Sequence, residues 1–222
     1  MDSKRFKWSW IFVVLLCFTQ MTYSTDFSGG VMFGYNGGTG FQLNSTVSNF
    51  AQGFPFKMQF GVGYSRVDPG SPLGARKVFI NDATNGDPEE AGHFWDFRLD
   101  LLYRVHWLGL REAFVYGGPR YSMFDANFNF VGGNETFDIG SDQWGWGLGF
   151  TSYFPMGKKI DLAVTTGADY FLSSKIGGHD TFYSPDGEDV NARNDFKYKD
   201  ADEVINQPKL ELRLMLGLNY HF

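Results

Sequence analysis

Apolar and polar residues alternate one by one along eight stretches of the chain after residue 25. In the last stretch, residues 209–222, every even position is Leu, Tyr or Phe, whereas most odd positions are polar or glycine. Such a period of two places successive side chains on opposite faces of a β-strand. Eight strands are therefore predicted near residues 26–36, 40–50, 55–66, 93–107, 113–124, 142–154, 159–173 and 208–222. The alternation is only partial in the second strand, and Pro119 removes a ladder hydrogen bond from the fifth.

The connections between these strands differ in length in a regular way. The second, fourth and sixth are tight ("AQGF", "LGLRE" and "PMGK"), whereas the third, fifth and seventh are long and polar, near residues 67–92, 125–141 and 174–207. Short turns at one end and long loops at the other are typical of bacterial outer-membrane barrels, which have an even number of strands. The predicted fold class is all-β: a single antiparallel up-and-down transmembrane β-barrel with eight strands.

The two faces of the strands distinguish this fold from a soluble barrel, such as a lipocalin-like carrier. A soluble barrel would put its large apolar residues inside and its charges outside. Here the polar face is rich in glycine and carries charges of both signs, which suits a narrow interior. The apolar face carries aromatic residues at two heights, as the girdles of membrane barrels do. The periplasmic girdle is predicted to contain Phe27, Phe56, Trp107, Phe154, Tyr220 and Phe222, and the outer one Tyr35, Tyr64, Trp95, Trp144 and Tyr170.

Residues 1–24 have the features of a secretory signal peptide. Lys4, Arg5 and Lys7 precede an apolar run, and Thr22 and Ser24 suit cleavage after residue 24. The alternative is a membrane anchor, but the run is shorter than the roughly 20 apolar residues that a spanning helix needs. The predicted domains are a removable signal, residues 1–24, and a barrel, residues 25–222.

Composition and charge narrow the classes of partner. The formal net charge is −6, and loss of the predicted signal, with three basic residues and one acid, makes the remainder more acidic. Nucleic acid is not expected as a partner, because phosphate binding needs basic patches. The single cysteine lies in the predicted signal, so no disulfide is expected.

The signal, the eight alternating strands and the closing "LGLNYHF" resemble the small bacterial outer-membrane barrel proteins, the group that includes the OmpA transmembrane domain and the OmpX and OmpW types. The resemblance implies a location in the cell outer membrane of a Gram-negative envelope. The lipid bilayer and lipopolysaccharide would then surround the barrel. It also implies that Leu218, Tyr220 and Phe222 form the signal read by the barrel-assembly machinery. No peptidoglycan-binding domain is expected after the last strand.

Charged residues on the polar face are predicted to form a network in the lumen. An eight-stranded barrel is only just wide enough for its own side chains, and an isolated buried ion costs several kcal/mol. The charges should therefore pair, and a tight "LGLRE" turn sets Asp100 opposite Arg120. The predicted network contains Lys57, Asp96, Arg98, Asp100, Arg104, Arg120, Asp161, Asp169, Lys209, Glu211 and Arg213.

The predicted function is that of a non-enzymatic surface protein whose filled barrel displays loops and supports membrane integrity or adhesion. A narrow channel for small hydrophobic or ionic solutes is the alternative, and a lipid-modifying enzyme is a third. That enzyme would resemble lipid A deacylases or palmitoyltransferases, which use a histidine with a serine and a carboxylate. The histidines are His93, His106, His179 and His221. No catalytic residue is predicted, because no serine stands two residues from a histidine on a lipid-facing strand. No cofactor is predicted, and no metal site either, because the acidic loops lack the spacing of a calcium-binding loop.

Overall fold

The computed structural model describes residues 25–106, 109–178 and 180–222. The predicted signal segment, Trp107 and His179 lie outside the described residues. The elements are, in chain order, β1 (Asp26–Asn36), β2 (Thr39–Ser48), β3 (Phe56–Val67), α1 (Pro72–Phe79), β4 (Asp87–Val105), β5 (Glu112–Val131), β6 (Glu135–Pro155), β7 (Ile160–Phe171), β8 (Ile176–Gly178), β9 (Thr181–Tyr183), α2 (Tyr198–Val204) and β10 (Leu210–His221). Within these described ranges, no helix is long and apolar enough to cross a membrane.

Eight of the strands close into an antiparallel barrel, so the predicted fold class is confirmed. Each of β1 to β6 pairs with the next strand, and β10 pairs with both β7 and β1 to close the barrel. The closing ladder runs from Ser28 opposite His221 to Asn36 opposite Arg213. Because every strand has two neighbours, the backbone hydrogen bonds are satisfied within the wall and no sheet edge remains in the membrane.

The two faces of the wall have the orientation that the alternation predicts. Side chains on the polar face point into the lumen, where Arg98, Asp100 and Arg120 are buried. Side chains on the apolar face point outward, and Leu148 is 70% exposed although it is a large aliphatic residue. An apolar surface this extensive is stable only against lipid or another apolar partner. Aromatic contacts cluster near the outer end, where the ring centroids of Tyr64 and Trp95 lie 5.1 Å apart.

Three strands continue far beyond the length that a membrane requires. β4, β5 and β6 contain 19, 20 and 21 residues, whereas a spanning strand needs about 9 to 11. Residues 125–141, predicted as a long loop, instead form the tip of the β5–β6 hairpin, with Gly132 and Asn134 at positive φ in its turn. The prediction of a loop there was wrong, because the alternation does not stop at residue 124.

The polarity of the alternation reverses where the strands leave the barrel wall. Below this point the inward residues are polar and the outward residues apolar. Above it, Phe124, Phe128 and Phe130 of β5 are buried inside, while Asn127 and Asn129 face outward. The same strand face therefore lines the lumen and then an apolar core outside the membrane. The polarity reverses because the outward face of the strands contacts lipid within the membrane and water beyond it.

The upper parts of β4 to β6, together with α1, α2, β8 and β9, form a folded unit that we call the cap. Ser71 begins α1 by accepting a hydrogen bond from Gly74 N, and a backbone bridge between Gly70 and Ile205 joins the segments that flank the two helices. The core of the cap contains Ala75, Val78, Phe79, Phe94, Phe124, Ala126, Phe128, Phe130, Phe137, Ile139, Ile176, Tyr183, Ala201 and Ile205. Two of the regions predicted as loops, residues 67–92 and 174–207, therefore contribute helices and short strands to one packed unit.

An ion pair connects the two long segments of the cap. Arg193 Nη2 lies 3.0 Å from Asp82 Oδ2, and Arg193 Nη1 donates a 2.8 Å hydrogen bond to the carbonyl of Lys77 at the end of α1. The hydrogen bond from Arg193 lowers the pKa of the Asp82 carboxyl below its usual value. A lowered carboxyl pKa means that the charged form is favoured in the folded cap.

We expect Phe128→Ala to loosen the cap without opening the barrel. The substitution leaves a cavity among the packed phenylalanines, which costs about 3 to 5 kcal/mol in a protein core. Limited proteolysis should cut the β5–β6 tip faster, while the heat-dependent shift in gel mobility that marks a folded barrel persists. Val131→Ala, which shortens an exposed side chain on the outward face of the same strand, is the control and should behave like wild type. Equal proteolysis of the two variants would contradict the packed cap.

The Asp82–Arg193 contact should weaken in acid. The folded pKa of Asp82 is depressed, so the stabilisation is present above the ordinary carboxyl value near 3.8 and is lost as the pH falls through the lower folded value. A spin label on Asn194→Cys should therefore gain mobility only when the pH falls below the ordinary carboxyl value of 3.8. Asp82→Asn should make the label mobile already at neutral pH. Identical spectra for the two proteins at neutral pH would show that this contact does not hold the segment.

Candidate functional site

Two buried arginines organise the charges in the middle of the lumen. Arg98 on β4 donates hydrogen bonds to Asp96 at 3.4 Å and to Asp100 at 3.2 Å, and it reaches Asp169 on β7 at 3.4 Å. Arg120 on β5 lies 2.7 Å from both Asp100 and Asp169. We call these five residues the ionic layer. Asp100 and Asp169 each contact both arginines: Asp100 connects the adjacent strands β4 and β5, and Asp169 connects them across the lumen to β7.

A polar fringe extends the ionic layer toward β1, β2 and β10. Arg213 donates to the amide oxygen of Gln42, which also accepts a 3.4 Å hydrogen bond from Arg98, and Asn36 donates to Asp96 at 3.2 Å. Arg213 Nη1 lies 3.9 Å from Asp169. The layer with its fringe thus connects side chains from six of the eight spanning strands across the lumen. Gln42 and Asn36 were not in the predicted network, although both stand at inward positions of the alternation, which is the pattern that identifies them.

The predicted network separates into three groups in the structure. Asp96, Arg98, Asp100, Arg120, Asp169 and Arg213 are brought together in the middle of the lumen. Lys57, Arg104 and Asp161 lie instead at the periplasmic end, where Arg104 pairs with Glu112. Lys209 and Glu211 lie at the outer end, where Lys209 pairs with Asp202 at 2.9 Å. The alternation identifies the face of a residue but not its height, so it could not separate these groups.

The predicted contact between Asp100 and Arg120 forms, but in a different register. Arg120 stands opposite Arg98 in the β4–β5 ladder, two residues from the predicted partner. β4 ends at Val105, so the connection to β5 begins two residues earlier than "LGLRE" indicated. The side chains of Asp100 and Arg120 still meet diagonally across the two strands. Diagonal neighbours lie within reach of long side chains such as arginine.

Glycines on the inner face make room for the ionic layer. A Cβ atom at Gly147 would collide with the side chains of Asp169 and Arg120, and one at Gly61 would lie 2.7 Å from Arg98 Cγ. A side chain at Gly63 would meet the Asp96 carboxylate in the same way. Large charged groups on some strands therefore require glycine on the strands that face them, which explains why the polar face is rich in glycine.

The lumen is closed above the ionic layer and partly open below it. On the outer side the core of the cap covers it. On the periplasmic side Tyr116, Leu102 and Phe114 are buried against one another, with Tyr153 packed against them. Below Tyr153 the barrel contains a cavity of about 680 Å³ that opens at the periplasmic end. We call this cavity the vestibule.

The described histidines lie away from the ionic layer. His221 Nε2 is 2.6 Å from Asp161 at the rim of the vestibule, and Ser28 stands opposite His221 on β1. No hydrogen bond joins Ser28 to His221 in the described structure, so the three residues do not form a connected triad. His93 lies 3.8 Å from Asp125 in the cap. No group of three or more His, Asp and Glu side chains that could hold a metal occurs in the ranges that the structure covers.

Comparison with solved structures supports the outer-membrane class. The structure is similar over 90% of its length to the whole chain of a major outer membrane protein from Thermus thermophilus, with 27% identity and a TM-score of 0.73. Neisserial surface protein A (NspA) matches 89% of this chain and 97% of its own at 12% identity and a TM-score of 0.38. Acinetobacter baumannii CarO2 matches 90% and 100% at 14% identity and a TM-score of 0.41.

No family model matches the sequence, and no similar curated protein was found. The resemblance to small outer-membrane barrel proteins is confirmed by the structural comparison. The protein is an integral outer-membrane β-barrel with eight spanning strands.

A double-mutant cycle on Asp100 and Arg120 should show strong coupling. Asp100→Asn leaves part of a buried guanidinium unpaired and should cost about 3 kcal/mol of unfolding free energy, as Arg120→Met should, because a broken buried pair exposes the remaining charge to a poor environment. The double variant should cost clearly less than the sum. Urea unfolding in lipid vesicles measures the three values. The solvent-exposed pair Arg104–Glu112 is the matched control and should couple by less than about 1 kcal/mol. Additive costs at Asp100 and Arg120 would show that they do not interact.

Proposed function

We propose that this protein is a non-conducting, non-enzymatic barrel that displays the cap at the cell surface, where the cap serves adhesion or another surface interaction and the barrel supports membrane integrity. The observation that carries this proposal is the filled lumen. The ionic layer and its polar fringe connect side chains across the lumen, and the apolar core of the cap occupies the interior further out along the same strands. A solute would have to displace both.

The construction of the cap supports a role at the surface. The cap has its own apolar core, and three strands of the barrel wall extend into it without a break. Acidic side chains are among those it exposes, including Glu89, Glu90 and Asp138. A rigid scaffold that carries polar loops is a common arrangement for binding.

The proposed environment and assembly follow from the outward face. The apolar wall would contact the lipid bilayer, and lipopolysaccharide would surround the base of the cap. Leu218, Tyr220 and Phe222 all face outward at the end of the chain, with the rings of Tyr220 and Phe222 5.2 Å apart. They remain the proposed signal for the barrel-assembly machinery, and residues 1–24 remain the proposed export signal.

Planar-bilayer recording tests the closed lumen. The purified protein should produce no discrete conductance steps, because the ionic layer and the cap leave no continuous water-filled path. A general porin inserted in the same membrane is the positive control. Discrete steps from the wild-type barrel would contradict the proposal and favour a narrow channel.

In cells, Phe128→Ala should reduce adhesion relative to wild type at equal surface abundance.

A further inference from the structure

The vestibule ends blindly inside the barrel. Tyr153 forms its floor, and Gln59 donates a 3.3 Å hydrogen bond to the Tyr153 hydroxyl. Its volume of about 680 Å³ lies within the range of about 300 to 1,000 Å³ that is typical of small-molecule sites. A blind cavity of this size suits a bound molecule better than a passing one.

The walls of the vestibule combine an apolar surface with charged groups. Phe114 and Tyr153 face the lumen and form the apolar part of the wall, whereas Phe27, Phe56 and Phe222 belong to the outward face and touch the cavity only at its rim. Two cations lie against one of these rings, with Lys57 Nζ 4.4 Å and the Arg104 guanidinium carbon 5.7 Å from the centroid of Phe114. An apolar body could therefore contact the rings while an anionic group reaches the cations.

Most charges around the vestibule already have partners. Arg104 forms an ion pair with Glu112, His221 lies 2.6 Å from Asp161, and Asn49 donates a hydrogen bond to Asp26. Lys57 differs from them. In the described part of the chain its ammonium group has no carboxylate within ion-pair distance, and it lies over the face of the Phe114 ring. One half-buried cation without an ion pair is thus present in a cavity whose carboxylates Asp26, Glu112 and Asp161 each have a hydrogen-bond partner already.

We propose that the vestibule is a binding site, entered from the periplasmic end, for a small amphiphile that has an aromatic or aliphatic body and one carboxylate. The carboxylate pairs with Lys57, and the body lies against Phe114 and Tyr153. A dianion would be repelled by Glu112 and Asp161, and a cation would leave Lys57 unpaired. This site is separate from the cap, so it does not depend on the surface role proposed above.

The test uses the full barrel in nanodiscs of zwitterionic lipid and a fluorinated phenylbutyrate as the probe. Fluorine NMR should show saturable binding beyond the signal of empty nanodiscs. Lys57→Gln should weaken the apparent affinity about tenfold, since a hydrogen-bonded charge pair contributes about this factor. The neutral phenylbutyramide should bind the wild-type protein about tenfold more weakly than the carboxylate, for the same reason, which gives a measurement that needs no variant.

Lys175→Gln is the matched control. Lys175 also lies over an aromatic ring, with its Nζ 4.0 Å from the centroid of Phe182, but it stands in the cap. This variant should bind the probe like wild type, and both variants should keep the heat-dependent gel shift of a folded barrel. Binding no greater than in empty nanodiscs, equal affinity in Lys57→Gln and wild type, or equal affinity for the amide would each overturn the proposal.

Discussion

The need to pair buried guanidinium groups constrains the whole interior of this barrel. Arg98 and Arg120 lie where water cannot surround them, so each requires carboxylates at close range. Asp100 and Asp169 meet both arginines, and Asp169 stands on a strand that is not adjacent to β4 or β5. These contacts cross the lumen, and all of them can form only when the strands are paired in this one register. The charged groups in turn require glycines on the inner wall, because larger side chains at those positions would collide with them.

The spanning strands also have to satisfy two different solvents. Within the membrane the outward residues of β5 are apolar because they face lipid, and a few residues further along the outward residues are polar because they face water. Inside, the change is the opposite, from the ionic layer to the phenylalanines of the cap. One continuous strand can serve both regions, because its side chains keep alternating while the surroundings change. The cap is therefore an extension of the barrel wall.

The two ends of the lumen differ in their exposure to water. The outer end is covered by a packed apolar core, and the periplasmic end contains an open cavity lined by rings and charges. Between them the ionic layer and the aromatic group of Tyr116 and Phe114 occupy the cross-section. The barrel thus presents a folded surface on one side and a pocket on the other. These two regions can be studied separately, because they share no residues.

The alternation in the sequence was sufficient to predict the fold class, the eight spanning strands and the face on which each charge lies, because a strand has a period of two and lipid requires an apolar exterior. It also contained the cap strands, since Phe124, Phe128 and Phe130 continue the same period with reversed polarity. Only the tertiary structure decided which charges meet. The height of a side chain in the lumen depends on the register of every ladder around the barrel, and a shift of two residues keeps the face of Arg120 while changing its neighbours. The grouping of the charges into an ionic layer, a vestibule and an outer rim is a property of the closed barrel.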